Sequence, residues 1–357
     1  MRKGWKVFSL TMALCLSCLA GCRLPAGKGG GDPMGETALS GESPGNVAGP
    51  GAGTESGSGK DVGLEAGTDA GMSAGSEAGT GSGADAGLEA NAVPGVLQID
   101  PEGMTLQTRI LTPQGYSRVP AEEGSLTEFL REYALKEDGS PVLLYDGSKK
   151  GNQSAHQAVL ALPIEAADLQ QCADSVMRIY AEYFYQAGQP EKIAFHFTNG
   201  FLAEYVRWRD GERIKVDGNQ VWWVQGAGPD DSYEAFVKYL RMVFCYAGTL
   251  SMKTESEEVD RDEMDVGDVF LKGGSPGHVV MVLDVCENEA GQRAFLLGQG
   301  YMPAQEFHVL RNPLHEEDCW YYEEEITYPF CTPEYTFEKG SLRRLDYARG
   351  QAPSDGQ

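Results

Sequence analysis

Residues 267–299, GDVFLKGGSPGHVVMVLDVCENEAGQRAFLLGQ, decide how the rest of the chain is read. Three apolar runs, Val269-Phe270-Leu271, Val279 to Val285 and Ala294 to Leu297, are separated by Gly-containing turns or loops. Each is too short for a typical helix, rich in β-branched or aromatic residues and bounded by turn formers, which is the pattern of buried strands. A fourth run, Glu306 to Leu310, follows them. Successive short strands joined by turns read as an antiparallel sheet.

Working towards the N-terminus, the pattern changes to helical periodicity. Asp168 can accept from the orphan amides of a first helical turn, with Gln171 completing a capping box. Leu169, Cys172, Val176, Ile179, Tyr180 and Tyr183 then form one apolar stripe, and Gly188 stops it. A second helix follows Asp231-Ser232-Tyr233-Glu234, with Phe236, Leu240, Val243 and Ala247 inward and Gly248 as its end. Between them, Arg213 to Val216 and Val221 to Val224 flank Asp217-Gly218-Asn219-Gln220, a hairpin by turn chemistry. Thr108 to Leu111 and Ala158 to Leu162 read as strands, and Ser125 to Leu135 as a short helix. Helices first and an antiparallel run later give an α+β class.

Composition confines this fold to residues 96–357. The chain has 357 residues and 46 Gly, of which 21 fall in residues 23–95, a stretch without Phe, Tyr or Trp. Such a segment buries too little apolar surface to offset about 1 to 2 kcal/mol of ordering entropy per residue. Gly recurs at every fourth position from Gly63 to Gly87, so residues 22–95 read as a flexible tether reaching roughly 45 to 50 Å. The net charge is −24, a field that repels phosphate backbones and excludes nucleic acid as a partner.

Ahead of the tether, Met1 to Lys6 is a basic segment and Val7 to Leu16 an apolar one too short to span a bilayer, together an export signal over residues 1–21. Leu19-Ala20-Gly21-Cys22 resembles the lipobox of bacterial lipoproteins. The resemblance implies cleavage before Cys22 and acylation of its thiol, which would anchor the protein to the membrane from the extracytoplasmic side.

Five cysteines remain beyond the tether: Cys172, Cys245, Cys286, Cys319 and Cys331. An odd number leaves at least one thiol free, and a bridge between Cys319 and Cys331 is open. Cys172 stands apart because the start of a helix favours a thiolate, the nucleophilic form of the thiol. His278, at the entrance of an apolar strand, is the candidate base, and Gln299 on the next strand could orient its ring or polarise an oxyanion. His156 is a weaker alternative base. His315-Glu316-Glu317-Asp318-Cys319 has the composition of a metal site, but adjacent residues on one extended segment seldom converge on an ion. Trp208, Trp222, Trp223 and Trp320 could form a carbohydrate-stacking surface, or simply pack the core. No nucleotide or complete metal motif points to a cofactor.

Gly267-Asp268-Val269-Phe270 with Gly277-His278-Val279-Val280-Met281-Val282 resembles the His half of papain-like cell-wall amidases of the NlpC and CHAP type. The resemblance implies a papain-like fold and a chain order Cys172, His278, Gln299 in a cysteine amidase or peptidase acting on peptidoglycan peptides. Gln171-Cys172-Ala173-Asp174 departs from the usual Asp-Cys-Ser-Gly elbow. The alternative is a non-catalytic envelope lipoprotein that binds wall glycan or a protein partner.

A longer resemblance spans most of residues 105–345. Leu169 to Asp174, Phe197-Thr198-Asn199-Gly200, Tyr246 to Leu250, Gly273 to His278 and Tyr301 to Glu306 are similar to bacterial lipoproteins catalogued as domain of unknown function 4846.

Overall fold

A computed structural model describes residues 98–349; the expected export signal, the expected lipidation at Cys22 and the expected tether lie outside the described residues. The domain is α+β, with every strand pairing antiparallel. Among the described residues six α-helices occur in chain order: α1 Leu106–Arg109, α2 Leu126–Arg131, α3 Cys172–Gln186, α4 Tyr205–Arg209, α5 Tyr233–Tyr246 and α6 Thr249–Thr254. No helix among the described residues is long and apolar enough to cross a membrane.

The centre of the nine-stranded sheet is a hairpin of His278–Asn288 and Arg293–Gln299, with Arg293 opposite Glu287 and a register shift between Leu296 and Leu297. Val269–Lys272 pairs with the first of these strands and places Lys272 opposite His278. His308–Leu310 pairs with the second and places Gln299 opposite His308. His156–Val159 closes that side of the sheet.

The apolar run from Val279 to Val285 lacks polar alternation because both faces of the sheet are covered. On one face, Val279, Met281 and Leu283 pack with Val176, Met177 and Tyr180 of α3. On the other, Phe270, Val280, Val282 and Phe295 pack with Ile326, Phe330 and Phe337. One charge interrupts the run. Asp284 is fully buried and accepts from Arg118 Nε at 2.6 Å and Arg131 Nε at 2.7 Å, so the carboxylate is paired where isolation would be costly.

The α5 helix begins after Ser232, whose hydroxyl accepts from the Ala235 N–H at 3.2 Å, and it buries Phe236, Leu240 and Val243 as its periodicity predicts. The hairpin Glu212–Asp217 and Gln220–Gln225 forms with Asp217 opposite Gln220, and Gly218 takes φ +58°, a left-handed conformation that suits Gly. Residues 269–271, 279–285 and 294–297 are strands as expected.

The helix expected over Ser125 to Leu135 ends at Arg131, and the strand expected over Ala158 to Leu162 runs from His156 to Val159. Two further local readings change in kind or in cause. Thr108 to Arg109 is helical, the end of α1, because the Thr108 hydroxyl accepts from the Thr105 N–H at 2.9 Å and closes a turn that a short apolar run does not reveal. The long helix begins at Cys172 instead of after Asp168. Its capping acceptor is Asp174, which takes the Gln171 N–H at 3.0 Å. Asp168 is spent elsewhere, accepting from the Ala304 N–H at 2.7 Å and from Gln171 Nε2 at 3.0 Å, and so ties the approach to α3 to the loop after the Gln299 strand.

Candidate functional site

The start of α3 and the start of the His278 strand meet at one end of the sheet. Cys172 is the first residue of α3 and half-buried. A cleft of about 320 Å³ reaches it, bounded by Asp168, Gln171 and Asp174 on one side and by Thr249, Leu250 and Gly274 to Gly277 on the other. Small residues allow this approach. A Cβ on Gly300 would lie 2.5 Å from Ser175 Oγ, and one on Gly277 would lie 2.2 Å from Thr249 Oγ1.

Burial pushes the Cys172 thiol up to about 11, and the nearby Asp174 carboxylate pushes the same way. Main-chain N–H groups of Ala173, Val279 and Cys172 favour the thiolate and only partly offset this. The expectation of a helix-start thiolate is therefore corrected: desolvation outweighs the helix terminus, and the resting group is a thiol. Asp174 itself is raised to about 7 by burial, opposed by its bond from Gln171.

The Val279 N–H beside the thiol belongs to the residue after His278. Sequence reasoning put His278 and Gln299 in one site, and the structure brings them together: His278 Nε2 lies 2.7 Å from Gln299 Oε1. No hydrogen bond joins His278 to Cys172, and Nδ1 of the ring has no partner among the described residues. The imidazole is 3% exposed and packs against Tyr301 and Tyr335, each with its ring centroid 4.7 Å away. Burial lowers His278 to about 4, with Lys150 pushing the same way and Gln299 opposing, so the ring is neutral at pH 7.

Behind Gln299 lies a group that sequence reading did not single out. Gln299 Nε2 donates to Glu334 Oε2 at 2.8 Å and lies 3.4 Å from His308 Nε2. Lys150 pairs with Glu334, and Asn152 Nδ2 donates to the other carboxylate oxygen at 3.2 Å. Lys150 is held below its usual value mainly by burial, and His308 lies well below its own for the same reason. The available signal was indirect: Lys150 and Glu334 are charges that the fold brings into a half-apolar surrounding from distant segments.

The weaker candidates lie elsewhere. His156 Nε2 donates to the Ser140 carbonyl oxygen at 3.1 Å, and the residue borders a separate pocket with Asp138, Gln153 and Arg311. His315 pairs with Glu325 at 2.9 Å, and among the described residues no group of three His, Cys, Asp or Glu converges as a metal site. All five cysteines described are free, so Cys319, which is buried, and Cys331, which is exposed, are not bridged. Trp320 and Trp208 are core residues, Trp223 stacks under Arg207, and of the four only Trp222 is exposed as a large apolar face. A second pocket of about 190 Å³, between Leu314, Tyr321, Ile326 and Phe330, holds Glu325 and Cys331, whose sulfur neighbours the Pro329 carbonyl and the Thr336 hydroxyl.

Residues 106–344 match the family described as Domain of unknown function (4846), which covers more than half of the chain, and the chain belongs to that family. No curated protein and no solved structure matches it.

Proposed function

We propose that this member of the family of domain of unknown function 4846 is a papain-like cysteine amidase, held outside the cytoplasmic membrane by a lipid on Cys22 and acting on cell-wall peptides. Cys172 is the nucleophile, His278 the base and Gln299 the residue that orients it. The observation that carries the reading is the 2.7 Å bond from His278 Nε2 to Gln299 Oε1. It leaves Nδ1 as the open position of the ring, on the residue adjoining the main-chain N–H that meets the Cys172 thiol.

The chemistry follows from a neutral resting pair. As sulfur attacks the substrate carbonyl carbon, the thiol proton passes to His278 Nδ1, since a thiol raised to about 11 cannot wait as a thiolate. The carbonyl oxygen becomes an oxyanion, to which the N–H of Cys172, an orphan donor of the first turn, can donate. Collapse breaks the C–N bond, and the amine leaves with the proton from Nδ1, leaving a thioester. Water then gives a proton to Nδ1 and its oxygen to the acyl carbon, and the proton returns to sulfur as the acid departs. Gln299 is fully buried with both ends of its amide engaged, so its part is to orient the ring and not to hold the oxyanion.

Purified residues 96–357 incubated with wall fragments should release soluble peptides or free amines, and Cys172→Ala should abolish the release. Unchanged turnover in that variant would remove Cys172 from the mechanism. One observation favours a second reading, a wall-binding module without chemistry: His278 is 3% exposed beneath Tyr301 and Tyr335. Retention on intact sacculi by both wild type and Cys172→Ala, with no released fragments from either, would select it.

A further inference from the structure

The donors and acceptors around Gln299 can be assigned by elimination. A carboxylate has no proton to give, so the Gln299 atom facing Glu334 Oε2 at 2.8 Å is the NH2 group. The amide oxygen is then turned to His278, 2.7 Å from Nε2, and it can only accept. His278 Nε2 therefore carries the ring hydrogen and Nδ1 the lone pair. The same logic applies one residue further out. His308 Nδ1 lies 2.9 Å from the Glu306 carbonyl oxygen, which only accepts, so His308 Nε2 is unprotonated and faces the Gln299 NH2 group at 3.4 Å. A flipped Gln299 amide would set its oxygen against both a carboxylate and an imidazole lone pair.

We propose that Glu334, braced by Lys150, and His308 are positioning residues that fix the Gln299 amide and thereby hold His278 in the tautomer with hydrogen on Nε2 and an open lone pair on Nδ1. The proposal rests on the reading of His278 as the base. Glu334 is suited to the task because three donors from distant segments, Lys150, Asn152 and Gln299, converge on its carboxylate. Lys150 and His308 are buried and Glu334 nearly so, so water does not compete for these bonds. Lys150 adds the positive charge that keeps a carboxylate in this place, and its Nζ also lies 3.4 Å from His308 Nε2, the acceptor it shares with Gln299. Neither Glu334 nor His308 touches the reacting atoms. Their effect is transmitted by a single amide.

The test reads the tautomer in the resting protein and needs no turnover. In residues 96–357 labelled with ¹⁵N-histidine, long-range ¹H–¹⁵N correlation spectra at pH 7 should show His278 with hydrogen on Nε2. In Glu334→Leu, which removes the acceptor of the Gln299 NH2 group and leaves the Lys150 ammonium to draw the amide oxygen instead, the tautomer with hydrogen on Nδ1 should become populated, while His196 and His315 keep their wild-type signals. An unchanged single Nε2–H tautomer in Glu334→Leu would overturn the proposal, as would a wild-type His278 protonated on Nδ1. If Glu334→Leu does not fold, the wild type still decides: the Gln299 carboxamide protons should exchange with solvent at least about tenfold more slowly than those of exposed glutamines, and equal rates refute the lock. Loss of the amidase reading through an active Cys172→Ala variant would leave these signals unmoved, so the two failures are distinguishable.

Discussion

Replacing Asp174 with Asn should stabilise the domain, and increasingly so as pH rises. Two effects oppose each other at this carboxylate. It lies in the first turn of α3, where the helix terminus favours an anion by about 0.3 to 1 kcal/mol, and up to ~2 in partly buried sites. It is also almost fully buried, and its Oδ1 has no partner. Burial wins, raising the group from 3.8 to about 7. At 1.36 kcal/mol per unit, ionising it in the folded protein costs on the order of 4 kcal/mol as an upper figure, which relaxation of the first turn will reduce. The folded-state value lies above the unfolded one, so this contribution is fully present below about pH 4 and is lost as pH climbs through about 7. Asn keeps an acceptor for the Gln171 N–H but carries no charge, so its own contribution does not change with pH. Urea unfolding of wild type and Asp174→Asn at pH 4.5, 6, 7 and 8 isolates the term, because all other titrating groups are common to both. The variant should gain at least ~1 kcal/mol relative to wild type between the first pH and the last. A flat difference, or a wild type that gains on the variant as pH rises, would show that the helix terminus outweighs desolvation and would refute the reasoning.

The thiol offers a second check. A Cys172 thiol at about 11, against 9.0 for an unperturbed one, should be alkylated by iodoacetamide roughly 100-fold more slowly than an ordinary thiol near pH 7.5. Site-resolved mass spectrometry should show its rate still rising tenfold per pH unit above pH 9, and a plateau near pH 7 would contradict the assignment. Arg131→Met leaves Asp284 with Arg118 alone and should cost about 3 kcal/mol in urea unfolding, whereas a neutral result would mean the buried pair is hydrated. Phe270→Ala opens a cavity under Phe330 and Phe337 and should cost about 3 to 5 kcal/mol by the same assay; less than ~1 would mean that the second core does not hold the sheet together.

The sheet was legible because its two central strands are covered on both faces and so read as apolar runs, broken only by Asp284. The α5 helix and the Asp217–Gln220 turn were legible for a similar reason, since Ser232 and Gly218 act within a few residues of themselves. The start of α3 was not. Asp168 and Asp174 are both acceptors at plausible positions, and what separates them is that Ala304, distant in the chain, donates to Asp168. The thiolate expectation at Cys172 failed on the same ground, because a helix start is local whereas desolvation depends on what packs over it.

The sequence by itself determined the α+β class and the pairing of His278 with Gln299, since adjacent strands of one hairpin must bring the end of one beside the start of the other. Only the tertiary structure decided the charge state of Cys172, which charge caps α3, and the presence of Lys150, His308 and Glu334 behind Gln299. These are matters of burial and of contacts between segments far apart in the chain. Local sequence carries no record of how much water the folded neighbours exclude.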